Sequence, residues 1–203
     1  MSASLQHLSG YQVHEYKIIL TPHEELIRQA MEVRKLFNEK FKIEAPMTQL
    51  PEITLVTFKQ IQAAESRITN RLKIIGMASH PIKIELRDFG SYPSHTIFFQ
   101  VTSKGPVGDL VKKIRHAAQR LMKLDADNVP HFMNDTNITL ARKLKPWQYE
   151  NGWLECSNKH FTGRFMANRM LLLKRKDGEF KYKPVESFEF LNLPVETKQG
   201  ELF

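Results

Sequence analysis

The sequence contains a single cysteine, Cys156, among its 203 residues. One cysteine excludes an internal disulfide framework and fits a reducing compartment. The longest apolar runs, such as residues 170–173, are far too short to cross a bilayer as a helix. The first residues also lack the basic segment and apolar stretch of a secretion signal. We therefore expect a cytoplasmic protein with no membrane association.

Motifs that bind metals or cofactors are also missing. No group of histidine, cysteine and acidic residues shows the spacing of metal ligands, and no glycine-rich phosphate loop or nucleophile elbow occurs. We therefore expect no metal and no cofactor. Cys156 lies in no recognised motif, and a lone cysteine of this kind is typical of a small buried hydrophobic residue.

Basic residues outnumber acidic ones, giving a net charge of +8 and an isoelectric point of about 9.5. This balance favours anionic partners such as a nucleotide or RNA, although the same charges are equally compatible with a solvated surface. The aromatic signature of an RNA-recognition motif is absent. The positive charges concentrate in three segments: Lys112, Lys113, Arg115, Arg120 and Lys123; Arg142, Lys143 and Lys145; and Lys174, Arg175, Lys176, Lys181 and Lys183.

Hydrophobic periodicity predicts a mixture of helices and strands without regular parallel alternation. Helices are predicted over 22–41, starting at an N-cap Thr21, and over 59–75 and 107–124. Residues 146–160 are predicted to be a loop with a short helix. Predicted strands cover 16–20, 52–58, 82–89, 95–102, 136–143, 161–165, 170–174 and 179–191, the last two joined by a turn at Lys176-Asp177-Gly178. This order predicts an α+β fold with antiparallel sheets and helices packed outside.

A short segment occurs twice. Residues 52–58 read Glu-Ile-Thr-Leu-Val-Thr-Phe, and residues 137–143 read Asn-Ile-Thr-Leu-Ala-Arg-Lys. Because side chains alternate along a strand, Glu52 and Thr54 share one face of the first copy, and Asn137 and Thr139 share one face of the second. Two such strands can place their polar pairs on opposite sides of a cleft.

The two copies and their order resemble the two-histidine phosphoesterase superfamily, which includes 2′-5′ RNA ligase-like proteins and cyclic phosphodiesterases. The resemblance covers roughly residues 12–192, including the closing segment Phe-Met-Ala-Asn-Arg-Met-Leu-Leu-Leu-Lys-Arg. It implies a bilobal fold with two antiparallel sheets around a central cleft. It also implies one bilobal domain over 1–193, followed by a polar tail over 194–203, in a monomeric protein.

The resemblance fails at the two residues that define the family. In its members a histidine precedes Ile-Thr in each copy and the pair transfers protons on a phosphodiester, whereas Glu52 and Asn137 occupy these positions here. Free glutamate is anionic at neutral pH and repels phosphate, and asparagine has no titratable proton. Because each proton-transfer group contributes about 100- to 10,000-fold, losing both removes most of the family activity.

Three hypotheses remain open from the sequence. In the first, the protein keeps the cleft, binds a nucleotide or RNA end through Glu52, Thr54, Asn137, Thr139 and Arg142, and has no catalytic residue. In the second, it is an enzyme of altered chemistry with Glu52 as general base. In the third, it is an RNA-binding or scaffold protein that uses the basic helix around Lys112 to Lys123.

Overall fold

The computed structural model describes residues 11–44, 49–176 and 178–194. Within them the helices are α1 (Glu24–Lys40), α2 (Glu65–Met77), α3 (Lys104–Met122) and α4 (Pro146–Ser157), with a short 3-10 helix (Gln62–Ala64) before α2. The strands are β1 (Val13–Leu20), β2 (Ile53–Ile61), β3 (Ile82–Tyr92), β4 (Thr96–Val101), β5 (His131–Phe132), β6 (Ile138–Arg142), β7 (Thr162–Ala167), β8 (Arg169–Lys176) and β9 (Lys183–Glu189). Asp177 of the predicted hairpin turn and residues 195–203 of the predicted tail lie outside the described residues.

Two antiparallel sheets carry the strands. The five-stranded sheet has the order β5-β2-β1-β8-β9, and the four-stranded sheet has the order β6-β4-β3-β7. The predicted α+β fold, with two antiparallel sheets and helices outside, is confirmed. The described part of the chain has no helix long and apolar enough to cross a bilayer.

Helices cover one face of each sheet. In the five-stranded sheet Tyr16 of β1 donates a hydrogen bond to Glu65 of α2 at 3.0 Å, so α2 and α3 lie on the face to which Tyr16 points. In the four-stranded sheet the Ser91 and Tyr149 hydroxyls are 3.0 Å apart, which places α4 on the Ser91 face. The opposite, helix-free faces border the space that we call the cleft.

The start of α1 differs from the prediction. His23, rather than Thr21, is the N-cap: its backbone is extended and its Nδ1 accepts a hydrogen bond from the Leu26 amide at 3.3 Å. An imidazole nitrogen therefore satisfies one of the free amides of the first turn, the task usually done by a hydroxyl or carboxylate. The signal Thr21-Pro22 correctly indicated a nearby helix start but was two residues early, since α1 begins at Glu24.

The start of α2 was also predicted too early. The sequence pattern placed a helix from residue 59, but β2 continues to Ile61 and α2 begins at Glu65. Pairing explains the difference, because β1 runs alongside β2 as far as Val13 opposite Ile61. Backbone hydrogen bonds to a neighbouring strand override a local helical pattern.

Candidate functional site

The two predicted motifs occupy equivalent places at the beginning of a strand in each sheet. Glu52 directly precedes β2 and Asn137 directly precedes β6. Ile53 and Ile138 are fully buried, while Thr54 and Thr139 are half-buried on the helix-free faces. The alternation predicted from the sequence therefore appears in both sheets.

The Glu52 carboxylate is bound within the protein. Its Oε1 forms an ion pair with Lys17 Nζ and accepts a hydrogen bond from Gln49 Nε2 at 3.3 Å. The Lys17 and Glu52 side chains are only 7% and 10% exposed. The Tyr182 ring lies 4.2 Å from Lys17 Nζ and covers it on the cleft side of the sheet. Since Lys17 is cationic, the repulsion of phosphate expected from Glu52 is largely compensated.

Asn137 is fixed by hydrogen bonds on both ends of its amide. Its Oδ1 accepts from the Val101 amide at 3.2 Å, and its Nδ2 donates to the Tyr92 hydroxyl at 3.2 Å and to Asp135 at 3.1 Å. Lys104 forms an ion pair with Asp135 at 2.8 Å. Partial burial alone would raise the pKa of Asp135, but hydrogen bonds from Lys104, Tyr92 and Asn137 bring it below the usual value. Asn137 therefore has a set orientation and no proton to transfer.

Arg34 of α1 joins the two motifs, and sequence reasoning did not identify it. Its Nη1 donates to the Gln49 carbonyl at 2.6 Å and its Nη2 donates to the Thr139 carbonyl at 2.6 Å. Burial lowers the pKa of Arg34, and nearby Glu52 partly opposes that shift. The missed signal was a charged residue within the apolar stripe between Ala30 and Phe37.

Arg142 lies at the end of β6 and reaches the first motif. Its Nη2 donates to Gln49 Oε1 at 3.3 Å, and the same Gln49 side chain donates to Glu52. Gln49 and Arg34 therefore connect Glu52, Thr139 and Arg142, whereas Asn137 belongs to the separate group with Tyr92 and Asp135. Lys17 and Arg34 lie close to the charge of Glu52, and Arg142 lies close to Arg34.

The threonine hydroxyls differ from the other polar groups of the site. Among the described residues, neither Thr54 nor Thr139 has a hydrogen-bond partner for its hydroxyl within the protein. A half-buried hydroxyl without a protein partner is available to water or a ligand. An excess of positive charge together with two free hydroxyls is suited to binding an anion.

One histidine outside the motifs lies on a cleft-facing surface. His131 of β5 and Lys17 of β1 both pair with Thr57 of β2, so the three side chains project from the same face of the sheet. His131 is exposed. Sequence reasoning had no ground to prefer it, because β5 has only two residues and no recognisable pattern.

Solved structures share this fold. TT0787 of Thermus thermophilus matches with a TM-score of 0.63 at 17% identity, covering 87% of this chain and 98% of that chain. LigT of E. coli, solved in complex with 3′-AMP, matches with a TM-score of 0.59 at 14% identity, covering 88% and 98%. A structure described as a phosphoesterase matches with a TM-score of 0.53 at 13% identity, covering 89% and 98%.

These three proteins are members of the two-histidine phosphoesterase superfamily. The chain therefore has the fold that its sequence resemblance implied, over almost the whole length of the proteins compared. No protein-family model matches the chain, and no curated protein sequence matches it. LigT has also been solved with NADP+, ATP and phosphate.

Proposed function

We propose that this protein binds a nucleotide or the end of an RNA strand in the cleft and lacks ordinary two-histidine phosphodiesterase activity. The ion pair between Lys17 and Glu52 carries the proposal. The Lys17 ammonium compensates the negative charge that would repel a phosphate. It also pairs with the Glu52 carboxylate, which is the titratable group of the two motif positions, since Asn137 has none. Binding is thus favoured while proton transfer is disfavoured.

The phosphate of the ligand is expected to lie between the two motif threonines. Thr54 and Thr139 supply free hydroxyls, Arg142 lies beside Gln49, and Arg34, whose guanidinium bonds two carbonyls, adds positive charge nearby. The complexes of LigT with 3′-AMP, ATP and NADP+ support this class of ligand, because all three are nucleotides. Glu52 and Asn137 complete the proposed site as fixed polar groups at the two strand starts.

Glu52 as a general base is the weaker candidate. A base must accept a proton in the reaction, and a proton on either oxygen of Glu52 would cancel the charge that pairs with Lys17. Freeing the carboxylate would leave the Lys17 ammonium without its partner while only 7% exposed, which is energetically unfavourable. The Glu52→Gln variant addresses this alternative, because it would abolish any activity that depends on the base.

The first experiment measures hydrolysis of 2′,3′-cyclic nucleotides. We expect no activity from the wild-type protein, and activity from a variant with Glu52→His and Asn137→His. Because Glu52→His removes the partner of Lys17, the double variant is also prepared with Lys17→Met. Activity in the wild-type protein contradicts the proposal, and its loss in Glu52→Gln or in His131→Ala then identifies the residue responsible.

The second experiment measures binding of 3′-AMP by calorimetry. Replacing a hydroxyl that bonds a charged group lowers binding by roughly tenfold or more, so Thr54→Val and Thr139→Val are each expected to weaken the complex to that extent. Thr69→Val is the matched control, because Thr69 lies in α2 behind the five-stranded sheet. Equal affinity of all three variants and the wild type contradicts the proposed site.

A further inference from the structure

The positive charge of the protein is concentrated on one pair of helices. Helices α2 and α3 contribute a net +6 of the chain's +8. Their acidic residues are Glu65 and Asp109, and their basic residues are Arg67, Arg71, Lys73, Lys104, Lys112, Lys113, Arg115 and Arg120. The rest of the chain is therefore nearly neutral. A segregation this strong is more than solubility requires, because soluble surfaces usually intersperse both signs.

Most of these cations project from the outer side of the helix pair. We call Arg67, Arg71, Lys112, Lys113, Arg115 and Arg120 the basic face; all six are exposed. On α3, Lys112 and Arg115 lie about one helical turn of 5.4 Å apart, and Lys113 and Arg120 lie about two turns apart, which places a row of cations along the exposed side of the helix. A hollow of about 660 Å³ is lined by Lys112, Arg115 and Arg120. A second hollow of about 260 Å³ is lined by Arg67, Arg120 and Lys123, so the row on α3 continues onto α2.

The cations of the basic face are largely uncompensated. Within residues 11–44, 49–176 and 178–194, Lys112 alone of the six forms an ion pair, with Asp109 at 3.1 Å. Arg115 lies over the ring of Phe132, with 4.9 Å between the guanidinium carbon and the ring centroid. Unpaired cations at regular spacing attract an extended polyanion strongly and release counterions when it binds.

The side chains around the cations of the basic face indicate which type of polyanion it binds. Among the described residues, every exposed large aromatic side chain lies outside α2 and α3. Proteins that bind single-stranded nucleic acid stack its bases mainly on Phe, Tyr and Trp rings, whereas the exposed ring of α3 is the imidazole of His116, beside Arg115 in the first hollow. Backbone recognition of a duplex requires only correctly placed cations and polar groups.

The basic face lies on the other side of the five-stranded sheet from the cleft. Tyr16 bonds Glu65 of α2, while its chain neighbour Lys17 projects from the opposite face and binds Glu52. Since consecutive strand residues point to opposite faces, the sheet separates the basic face from Thr54. Lys104, at the start of α3, reaches Asp135 beside Asn137 but does not belong to the basic face. A ligand on the basic face therefore makes no use of the cleft.

We propose that the basic face binds the phosphate backbone of a nucleic-acid duplex, independently of the cleft. The contacts are ionic and sequence-independent, so the affinity falls as the salt concentration rises. For a duplex, each phosphate contact contributes about 0.9 to the slope of log affinity against log salt concentration. The predicted site does not rest on the proposed function of the cleft.

The test measures fluorescence anisotropy of a labelled RNA duplex of about 20 base pairs at salt concentrations of about 50 to 200 mM. The variant combines Arg67→Gln, Lys113→Gln and Arg120→Gln. Its charge-matched control combines Arg28→Gln, Lys35→Gln and Lys159→Gln, exposed cations of α1 and of the segment after α4. A DNA duplex of equal sequence and the single RNA strand show which nucleic acid is preferred.

We expect the basic-face variant to bind the RNA or DNA duplex at least about tenfold more weakly at low salt and to lower the salt slope by about 2 to 3. The control and the Thr54→Val/Thr139→Val variant are expected to bind the duplex as the wild type does, which separates this site from the cleft. Equal affinity of the basic-face variant and the control overturns the proposal. So does tighter binding of the single strand, or displacement of the duplex by anionic lipid vesicles at equal phosphate concentration.

Discussion

Glu52 and Lys17 show how a carboxylate at a motif position can be held in an ion pair within the protein. The sequence identified Glu52 because a repeated strand motif surrounds it, and it identified Asn137 in the same way. It could not identify Lys17, Tyr182 or the bond between Gln49 and Arg142, because these contacts connect segments far apart in the chain. Local patterns specify which residues start a strand, while the partners of their side chains depend on how the sheet is assembled.

Removing one member of the Lys17–Glu52 pair leaves a nearly buried charge without a counterion. We therefore expect Lys17→Met and Glu52→Gln each to lower the free energy of unfolding by about 3 kcal/mol. The double variant is expected to lose clearly less than the sum of the two, since neither charge then remains. Urea unfolding of the four proteins measures this coupling, and strictly additive losses would show that the pair is not an interacting unit.

Cys156 is predicted to be unreactive in the folded protein. Its side chain is buried in α4, and burial raises the pKa of its thiol to about 11 from an ordinary value of 9.0. The thiolate is the reactive form, so at a pH near 8 alkylation should be much slower in the native protein than in urea. Mass spectrometry after iodoacetamide treatment measures both rates, and comparable rates would contradict the burial of Cys156.

The elements were mostly predictable from periodicity and turn chemistry. The strand at Ile82 begins at the predicted residue, and most of α3 was predicted although it begins at Lys104 rather than 107, because both have long regular patterns. The strand β9 begins at Lys183, four residues later than predicted. The other main differences are the starts of α1 and α2, and β5, which consists of His131 and Phe132 alone. These features depend on strand pairing with β2 or on the unusual N-cap His23, and neither produces a periodic pattern in the sequence.

Helix α1 is expected to lose stability when Arg34 becomes lysine. A lysine has one ammonium group and cannot reproduce the planar fork that reaches the carbonyls of Gln49 and Thr139. We expect Arg34→Lys to cost about 1 to 3 kcal/mol of unfolding free energy, because one of the two partly buried carbonyls loses its donor. Arg28→Lys, on the exposed side of the same helix, is the control and is expected to change stability by less than about 0.5 kcal/mol.

At the scale of the whole molecule, a continuous core joins the two sheets. Buried residues from both sheets, including Tyr16, Ile53, Ile97 and Ile138, belong to one hydrophobic cluster. The cleft therefore separates only the polar surfaces of the two sheets, and both sheets pack on the same hydrophobic core. The repeated motif in the sequence indicated two related halves, but it could not predict that the two halves share one hydrophobic core.

We expect both sheets to unfold in one transition. Trp147 and Trp153 lie in α4, which packs on the four-stranded sheet, so tryptophan fluorescence reports that sheet. Far-UV circular dichroism reports the helices that pack on both sheets. Coincident urea midpoints by the two methods are expected, because loss of one sheet would expose the core of the other. Separated midpoints would show that the halves unfold independently.

The carbonyls held by Arg34 belong to opposite borders of the cleft. The two hydrogen bonds of the Arg34 guanidinium therefore fix the spacing between the two motif strands in the absence of a ligand. A preorganised opening of this kind loses little conformational entropy on binding. For the ligand proposed above, we therefore expect association without hinge closure, at a rate governed by diffusion and long-range attraction.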